Sequence, residues 1–152
     1  MLSGKKILIT GGTGSFGKSF IEHVLKQFNP KKLVIYSRDE QKQFLAQKNW
    51  TGKKYSCLRF LIGDIRDTKR LTFAMNDDID IVIHAAAMKH VPIAEYNPFE
   101  VVKTNIIGAQ NIIEASFENG VEKVIALSTD KASSPINLYG ASKLTSDKLF
   151  IA

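Results

Sequence analysis

A glycine-rich turn near the amino terminus constrains the fold of this chain more than any other segment. Gly11, Gly14 and Gly17 recur at three-residue spacing directly after the apolar segment 6–10. The next segment has apolar side chains at helical spacing, at Ile21, Val24, Leu25 and Phe28. Glycines in such a turn let the backbone approach a pyrophosphate, whose charge is stabilised by the free amides of the following helix. A glycine repeat alone is weak evidence, but its place between a strand and a helix predicts dinucleotide binding.

Short apolar segments alternate with longer segments of helical period along the whole chain. Continuous apolar runs are typical of strands that are covered on both faces. The predicted strands are residues 6–10, 32–37, 58–62, 81–84 and 123–128. Together with the glycine turn, this alternation predicts an α/β fold of the Rossmann type, a doubly wound parallel sheet with strand order 3-2-1-4-5.

The length of 152 residues and the hydrophobic content of 44% fit one domain with one core. The last segment, residues 138–152, has helical spacing and stops without a capping residue, a glycine or a proline. We therefore predict that residues 1–152 are one dinucleotide-binding domain that is incomplete at its carboxyl terminus, before a sixth strand and a substrate domain.

Composition limits the possible partners. The formal charge of +6 favours anions, but the basic residues are scattered and no recognition motif accompanies them, so a nucleic-acid partner is not expected. The single cysteine, Cys57, excludes an internal disulfide and a cysteine-built metal site, and we interpret it as a buried residue in a reducing compartment. No apolar run reaches the ~20 residues that cross a bilayer. We expect a cytoplasmic protein without metal or membrane partner.

The fourth predicted helix has the clearest end signals. Asn97 is placed to cap it, Pro98 occupies its first position, Glu100 would close a capping box and Gly120 would end it. Its predicted apolar stripe comprises Val102, Ile106, Ala109 and Ile113.

The residues after the second strand bear on the choice of dinucleotide. An acidic side chain there would bond a free ribose hydroxyl, and a basic one would accept a 2′-phosphate. Arg38 offers a planar fork, Ser37 a hydroxyl and Lys42 a second cation, all suited to phosphate oxygens. These residues favour NADP. The adjacent Asp39 keeps NAD as an alternative, although it could equally cap the next helix.

Two further segments follow strands: Gly63, Asp64 and Ile65 follow the third strand, and Ala85, Ala86 and Ala87 follow the fourth. Ligands of open α/β sheets bind at the carboxyl ends of the strands, where small residues let an adenine or a ribose approach the backbone. We therefore predict that these loops hold the cofactor.

The fifth strand leads into Ser-Thr-Asp-Lys at 128–131, and Tyr139 and Lys143 follow. A tyrosine and a lysine four positions apart lie on one face of a helix, where the ammonium and an oxidised nicotinamide can stabilise a phenolate. A chance Tyr-x-x-x-Lys is usually a surface feature. Behind a dinucleotide turn, the pair predicts a catalytic site.

Four segments, at 11–17, 64, 104–108 and 139–143, make the chain similar to the extended short-chain dehydrogenase/reductase family. More specific segments resemble its inverting UDP-N-acetylglucosamine 4,6-dehydratases: Ile-Tyr-Ser-Arg-Asp-Glu at 35–40, His-Ala-Ala-Ala-Met-Lys-His-Val-Pro at 84–92, and Ser-Thr-Asp-Lys at 128–131. The retaining dehydratases carry Thr-Asp-Glu at the position of 129–131, and the large membrane-anchored relatives generally lack the tyrosine at 139. The soluble inverting branch fits best.

The resemblance implies a mechanism. Tyr139 would take the C4 hydroxyl proton while Thr129 hydrogen-bonds that hydroxyl and Lys143 holds the cofactor ribose. A neutral Lys131 would then remove the C5 proton, and a protonated Asp130 would donate to the departing C6 hydroxyl. Burial must raise the pKa of Asp130 for this role. Without the resemblance, Asp130 and Lys131 would be interpreted as a surface ion pair at the start of a loop.

The resemblance also implies the remaining assignments. The cofactor is NADP and its expected ligands are Gly11, Thr13, Gly14, Ser15, Phe16, Gly17, Ser37, Arg38, Lys42, Asp64, Ile65, Ala85, Ala86, Ala87, Tyr139 and Lys143. Lys89 and Thr129 would contact the substrate, His90 is interpreted as structural, and Asn105 would brace the fourth helix. The partners are UDP-N-acetylglucosamine and further copies of the chain, in an early step of nonulosonic acid or surface-glycan biosynthesis. A related epimerase or dehydratase, or a non-catalytic dinucleotide-binding module, stays open as an alternative.

Overall fold

The computed structural model describes residues 1–76 and 78–152. Five parallel strands form one sheet in the order β3-β2-β1-β4-β5. The strands are β1 Lys6–Thr10, β2 Lys32–Ser37, β3 Leu58–Ile62, β4 Ile81–His84 and β5 Lys123–Ala126. The predicted α/β class and strand order are confirmed.

The fifth strand is shorter than predicted, because residues 127 and 128 leave the sheet. The Leu127 amide still donates to the His84 carbonyl of β4 at 3.0 Å. Beyond it the chain bonds to the last helix: the Leu127 carbonyl accepts from Lys143, and the Ser128 hydroxyl donates to Asp147. The chain therefore turns toward the candidate site two residues earlier than the apolar run suggests.

The described residues form seven α-helices. They are α1 Ser15–Gln27, α2 Glu40–Asn49, α3 Thr68–Met75, α4 Val91–Tyr96, α5 Pro98–Val101, α6 Gly108–Glu118 and α7 Leu138–Ile151. Of these, α1, α3 and α6 pack on the faces of the sheet. A π-helical segment, Val102–Ile107, joins α5 to α6, and short 3-10 turns span Lys53–Tyr55 and Asp130–Ala132. Side-chain caps begin three of the helices: Asp39 caps α2, Asp67 caps α3 and Asn137 caps α7.

The predicted fourth helix is in fact the run α5, π segment and α6, and its start differs from the prediction. Asn97 occupies the capping position, but its side chain donates to the Ile93 carbonyl of α4 at 2.9 Å. Glu100 pairs with Arg66 and Lys103 and closes no capping box. Gly120 follows the helix with φ +65°, as expected of a glycine stop.

The predicted stripe of this helix is also wrong in phase. Of its four residues only Ala109 is fully buried, and Val101, Ile112 and Ala115 are buried instead. The error begins before the π segment: Val101 of α5 is buried where Val102 was predicted. Both residues are apolar, so the sequence did not fix the phase of the stripe.

Alternate residues of the central strands feed two core layers. Ile7 and Ile9 pack with α1 on one face, while Leu8 packs with α3 and α6 on the other. Cys57 is half-buried beside the α1 layer, less deeply placed than expected. Within the described residues, no helix is long and apolar enough to span a bilayer. Both faces are covered, so the carboxyl edge of the sheet is where the loops can form a site.

Candidate functional site

A cleft of about 380 Å³ lies at the carboxyl edge of the sheet, between the loops that follow all five strands and the start of α7. It is lined by every residue predicted to hold the cofactor except Ser15 and Gly17, and by Lys89. It is also lined by Gly63, which the sequence placed at the end of the third strand, and by residues that the sequence did not assign to a site: Tyr36, His84, Thr104, Leu127 and Ser128. The topology therefore brings together most of the residues that the sequence predicted.

The glycine turn needs its glycines for two separate reasons. Gly11 has φ +67°, and a Cβ there would lie 2.9 Å from the Ala86 nitrogen. A Cβ on Gly17 would lie 2.5 Å from the Cα of Gly12, so Gly17 serves the packing of α1 against the turn and does not line the cleft. Gly14 precedes α1 and provides no side-chain cap, which leaves the first amides of that helix available to an anion.

The loop after β2 presents cations at one end of the cleft. The Arg38 guanidinium is half-exposed and lies 3.5 Å from an Asp64 carboxylate oxygen. Lys42 pairs with Asp39 at 3.1 Å, and Asp39 also caps α2 by accepting from the Lys42 amide at 2.9 Å. Ser37 is 8% exposed at the cleft wall. The capping role that the sequence allowed for Asp39 is confirmed.

Asp64 is the centre of a charge network on the cleft rim. Arg66 donates to its carboxylate at 2.7 and 2.9 Å and continues to Glu100 at 2.6 Å. Burial alone would raise the pKa of Asp64, but the hydrogen bonds from Arg66 and the charge of Arg38 outweigh it and lower that pKa. Asp64 is therefore ionised at neutral pH.

Tyr36 and Gly63 shape the wall beside Asp64. The Tyr36 hydroxyl donates to the Asp64 carbonyl at 2.9 Å, and a Cβ on Gly63 would collide with the Tyr36 ring. Tyr36 lies near the end of the second predicted strand, and Gly63 follows the third. A tyrosine in an apolar strand predicts core packing and gives no sign of a role at a site. Their contact became visible only with the fold.

His84 and Thr10 fix the floor of the cleft. The Thr10 hydroxyl lies 2.8 Å from His84 Nδ1 and accepts from the amides of Ala85 and Ala86 at 3.2 and 3.3 Å. Because the hydroxyl oxygen is an acceptor in both amide bonds, its own proton goes to His84 Nδ1, which is assigned as unprotonated. Burial lowers the pKa of His84 to about 3, so its imidazole is neutral.

Tyr139 and Lys143 line the cleft from the first turns of α7. Lys143 is 5% exposed and its ammonium donates to the Leu127 carbonyl at 2.6 Å. Burial lowers the pKa of Lys143, and the charge of Asp147 offsets part of this effect. The predicted pair therefore lies on one helix face at the end of the cleft next to β5.

Thr129, Asp130 and Lys131 do not line the cleft, contrary to what their predicted catalytic roles suggest. The Asp130 side chain is 89% exposed and lies 3.6 Å from the Lys131 ammonium. A hydrogen bond from the Thr129 hydroxyl and the charge of Lys131 lower the pKa of Asp130, the opposite of the shift that a proton donor needs. The 3-10 turn at Asp130–Ala132 directs these side chains to solvent.

Asn105 connects the loop after β4 to α7. Its side chain accepts from the Met88 amide at 2.8 Å and donates to the Met88 carbonyl and the Ser142 hydroxyl, both at 2.9 Å. Next to it, the Thr104 hydroxyl lines the cleft and has no hydrogen-bond partner within the described residues. Asn105 thus braces its helix, but its partners are the loop after β4 and the helix that carries Tyr139, where the active-site strand was expected. His90 precedes α4 and its side chain caps nothing.

Residues 7–152 match the family described as Polysaccharide biosynthesis protein. The chain belongs to this family. Of its curated relatives, an inverting UDP-N-acetylglucosamine 4,6-dehydratase of Campylobacter jejuni is 62% identical over all 152 residues, which is 44% of that protein. A UDP-glucose 4-epimerase of Rickettsia typhi is 44% identical over 155 aligned residues, covering the whole chain and 44% of the relative.

A crystal structure of Pen from Bacillus thuringiensis superposes with a TM-score of 0.93 at 48% identity, over 98% of this chain and 45% of that one. The chain therefore spans less than half the length of the relatives that it matches. The resemblance to the inverting dehydratases that the motifs at 35–40, 84–92 and 128–131 indicated is confirmed. No group of three or more His, Cys, Asp or Glu side chains in the described parts of the chain is arranged to hold a metal ion.

Proposed function

We propose that the cleft holds NADP and that this chain supplies the cofactor-binding part of an inverting UDP-N-acetylglucosamine 4,6-dehydratase. The observation that carries the proposal is the cleft itself, which joins an uncapped helix start, a cationic loop and the Tyr139–Lys143 pair. The cradle fits a diphosphate because a Cβ at Gly11 or at Gly14 would stand within 3.2 Å of the opposite backbone. Residues 85–87 form the small-residue wall beside it.

NADP is preferred over NAD because the ribose end of the cleft is cationic. Arg38 and Ser37 would hold the 2′-phosphate, with Lys42 nearby, while Asp64 and Ile65 would face the adenine. Among the described residues, Arg38 has one ion-pair partner, Asp64 at 3.5 Å, so a phosphate can replace this weak, exposed contact. Replacing Arg38 by alanine should weaken NADP binding by roughly 10- to 100-fold, the range of charged hydrogen bonds, and should leave NAD binding nearly unchanged in fluorescence titrations.

The proposed reaction assigns each site residue a step. Bound NADP would supply the hydride acceptor for C4 of the sugar and the same hydride later for C6. Tyr139 accepts the C4 hydroxyl proton, Lys143 binds the ribose and keeps a positive charge beside Tyr139, and Thr129 and Lys89 contact the substrate. Lys131 removes the C5 proton, which the C4 ketone acidifies, and Asp130 protonates the departing C6 hydroxyl, so that water is lost. A proton then returns to C5 from the opposite face as the hydride reaches C6, which inverts C5.

The last two roles require a change at Asp130 and Lys131, which face solvent in this structure. We propose that the bound sugar covers Asp130 and Lys131, since desolvation raises the pKa of a carboxyl group and lowers that of an ammonium. Gly140 favours this arrangement, because a Cβ there would collide with the Lys131 carbonyl. The turn at Asp130–Ala132 is thereby held directly against the helix of Tyr139.

A chimera tests the reaction, because the matched relatives are more than twice as long as this chain. Residues 1–152 replace the corresponding part of the Campylobacter jejuni dehydratase, and the product from UDP-N-acetylglucosamine in deuterated water is followed by NMR. We expect an inverted 4-keto-6-deoxy sugar with deuterium at C5. The matched control carries Lys131→Met, which should abolish C5 exchange while NADP binding persists. An unchanged sugar from a folded, NADP-binding chimera would contradict the dehydratase assignment.

A 4-epimerase is the second candidate, favoured by the 44% identity to the Rickettsia typhi protein. An epimerase would invert C4 without loss of water and without deuterium at C5, so the same NMR spectra separate the two reactions. The dehydratase is preferred because the chain is 62% identical to the Campylobacter jejuni dehydratase. Lys131 also argues against a retaining dehydratase, since those enzymes carry a glutamate at this position.

We also propose that the chain self-associates through its helices. Tyr96, Phe99 and Phe117 are 88%, 63% and 88% exposed on the helical run from α4 to α6. Apolar rings that are this exposed favour a protein partner. Light scattering coupled to size exclusion should give a mass of at least two chains, whereas a strict monomer would contradict this part of the proposal. The keto sugar would enter nonulosonic acid or surface-glycan biosynthesis.

A further inference from the structure

Gln43 is a buried polar residue that none of the proposed roles uses. It lies in α2 and is 3% exposed, while its neighbours Lys42 and Phe44 face solvent. In the sequence it is one of several glutamines in a polar helix and gives no signal of function. A buried amide must find hydrogen-bond partners or destabilise the fold.

The partners of Gln43 lie at the ends of two strands. Its Nε2 donates to the Leu61 carbonyl at 2.8 Å, to the Ser37 hydroxyl oxygen at 3.0 Å and to the Ser37 carbonyl at 3.1 Å. Carbonyl oxygens only accept, so the group that faces them is the amide nitrogen. Ser37 Oγ is therefore the acceptor in its contact with Gln43.

This contact decides where the Ser37 proton points. Since Gln43 occupies a lone pair of the hydroxyl, the Ser37 proton points away from Gln43, and this hydroxyl donates no hydrogen bond to another group within residues 1–76 and 78–152. Ser37 lines the cleft beside Arg38. An anion at this end of the cleft would meet the hydroxyl proton of Ser37 together with the guanidinium of Arg38.

We propose that Gln43 is a positioning residue for cofactor specificity: it orients the Ser37 hydroxyl as a donor to the 2′-phosphate of the adenosine ribose. It also ties the end of β2 to Leu61 of β3, so that the loop carrying Arg38 is held at both strands. The inference rests on the proposed function, in which NADP occupies the cleft.

The test is a double-mutant cycle on the 152-residue chain, with adenosine 2′,5′-bisphosphate and adenosine 5′-monophosphate as probes in calorimetric titrations. Gln43→Met keeps length and burial but removes the donor. The affinity ratio of the two probes should fall roughly fivefold, the effect of one neutral hydrogen bond. Gln47→Met, at an exposed position of the same helix, is the matched control and should leave the ratio unchanged.

Ser37→Ala should lower the same ratio by a similar factor, and adding Gln43→Met to it should have little further effect on the ratio. Equal weakening of both probes by Gln43→Met would mean that Gln43 has only a structural role. If Gln43→Met does not fold, Ser37→Ala still decides: an unchanged ratio overturns the inference. A wild-type chain without preference for the bisphosphate would instead refute the proposed use of NADP.

Discussion

Replacing Asn105 by alanine removes three hydrogen bonds inside the protein, two to the Met88 backbone and one to Ser142. Asn105 is 2% exposed, so water cannot replace the lost partners without entering the core. At about 1 kcal/mol for each bond, the free energy of unfolding should fall by about 3 kcal/mol. For a domain of this size this corresponds to a melting temperature lower by roughly 6–12 °C.

Urea titration followed by circular dichroism measures this change, and the slope with denaturant should stay constant if the unfolded state is unaffected. Asn49→Ala, at an exposed position near the end of α2, is the control and should change stability by less than about 0.5 kcal/mol. Asn105→Asp keeps the acceptor for Met88 but loses both donated bonds, so it should also destabilise. A loss below about 1 kcal/mol for Asn105→Ala would refute the reasoning, because it would mean that the bonds to Met88 and Ser142 contribute almost nothing.

Three further predictions concern the turn and the buried titratable groups. Gly17→Ala should destabilise the chain by about 1–3 kcal/mol, seen as a lower melting temperature, because its Cβ would meet Gly12 at 2.5 Å; a neutral effect would show that α1 can move freely. The pKa of His84 is lower in the folded than in the unfolded state, so the free energy of unfolding should fall as pH drops from 6.5 toward about 3. The loss should reach up to about 1.4 kcal/mol per pH unit. Urea titrations of His84→Gln should lack this loss. The pKa of Lys143 is also lowered in the folded state, so below pH 10.5 the unfolded chain binds more protons than the folded one. The stability of the wild type relative to Lys143→Met should therefore rise as pH increases toward 10.5. A difference that falls with pH would contradict the burial of a charged lysine.

The fold was predictable because its main signals are local. Continuous apolar runs predicted the first four strands with the bounds that the structure shows. The glycine turn identified the first of these strands as the one that leads into the site. The fifth strand was over-extended, because the bonds that draw residues 127 and 128 away come from α7, far along the chain. The π segment was missed because a π-helical and an α-helical turn draw on the same residue types.

The cleft was predictable wherever a residue follows a strand, since the carboxyl ends of parallel strands share one edge. Tyr36 and Gln43 were missed because one resembles core and the other resembles a solvated helix surface until their partners are placed. For Asp130 the sequence suggested a buried acid, but burial depends on the path of a three-residue turn and on what lies over it. Local sequence does not contain that information.

The π-helical segment Val102–Ile107 changes the phase of the helix, so residues before and after it face different neighbours. Each residue of an α-helix rotates the next by about 100°, and the extra residue of the π-helical turn lets Asn105 face the Met88 backbone and Ser142 while Ile112 and Ala115 face the core. Deleting one residue here would yield an unbroken helix but would turn one of these two faces away from its partners. Any relative without the extra residue would have to be aligned to this chain with a gap inside the helix. Sequence alignment alone would avoid a gap inside a helix.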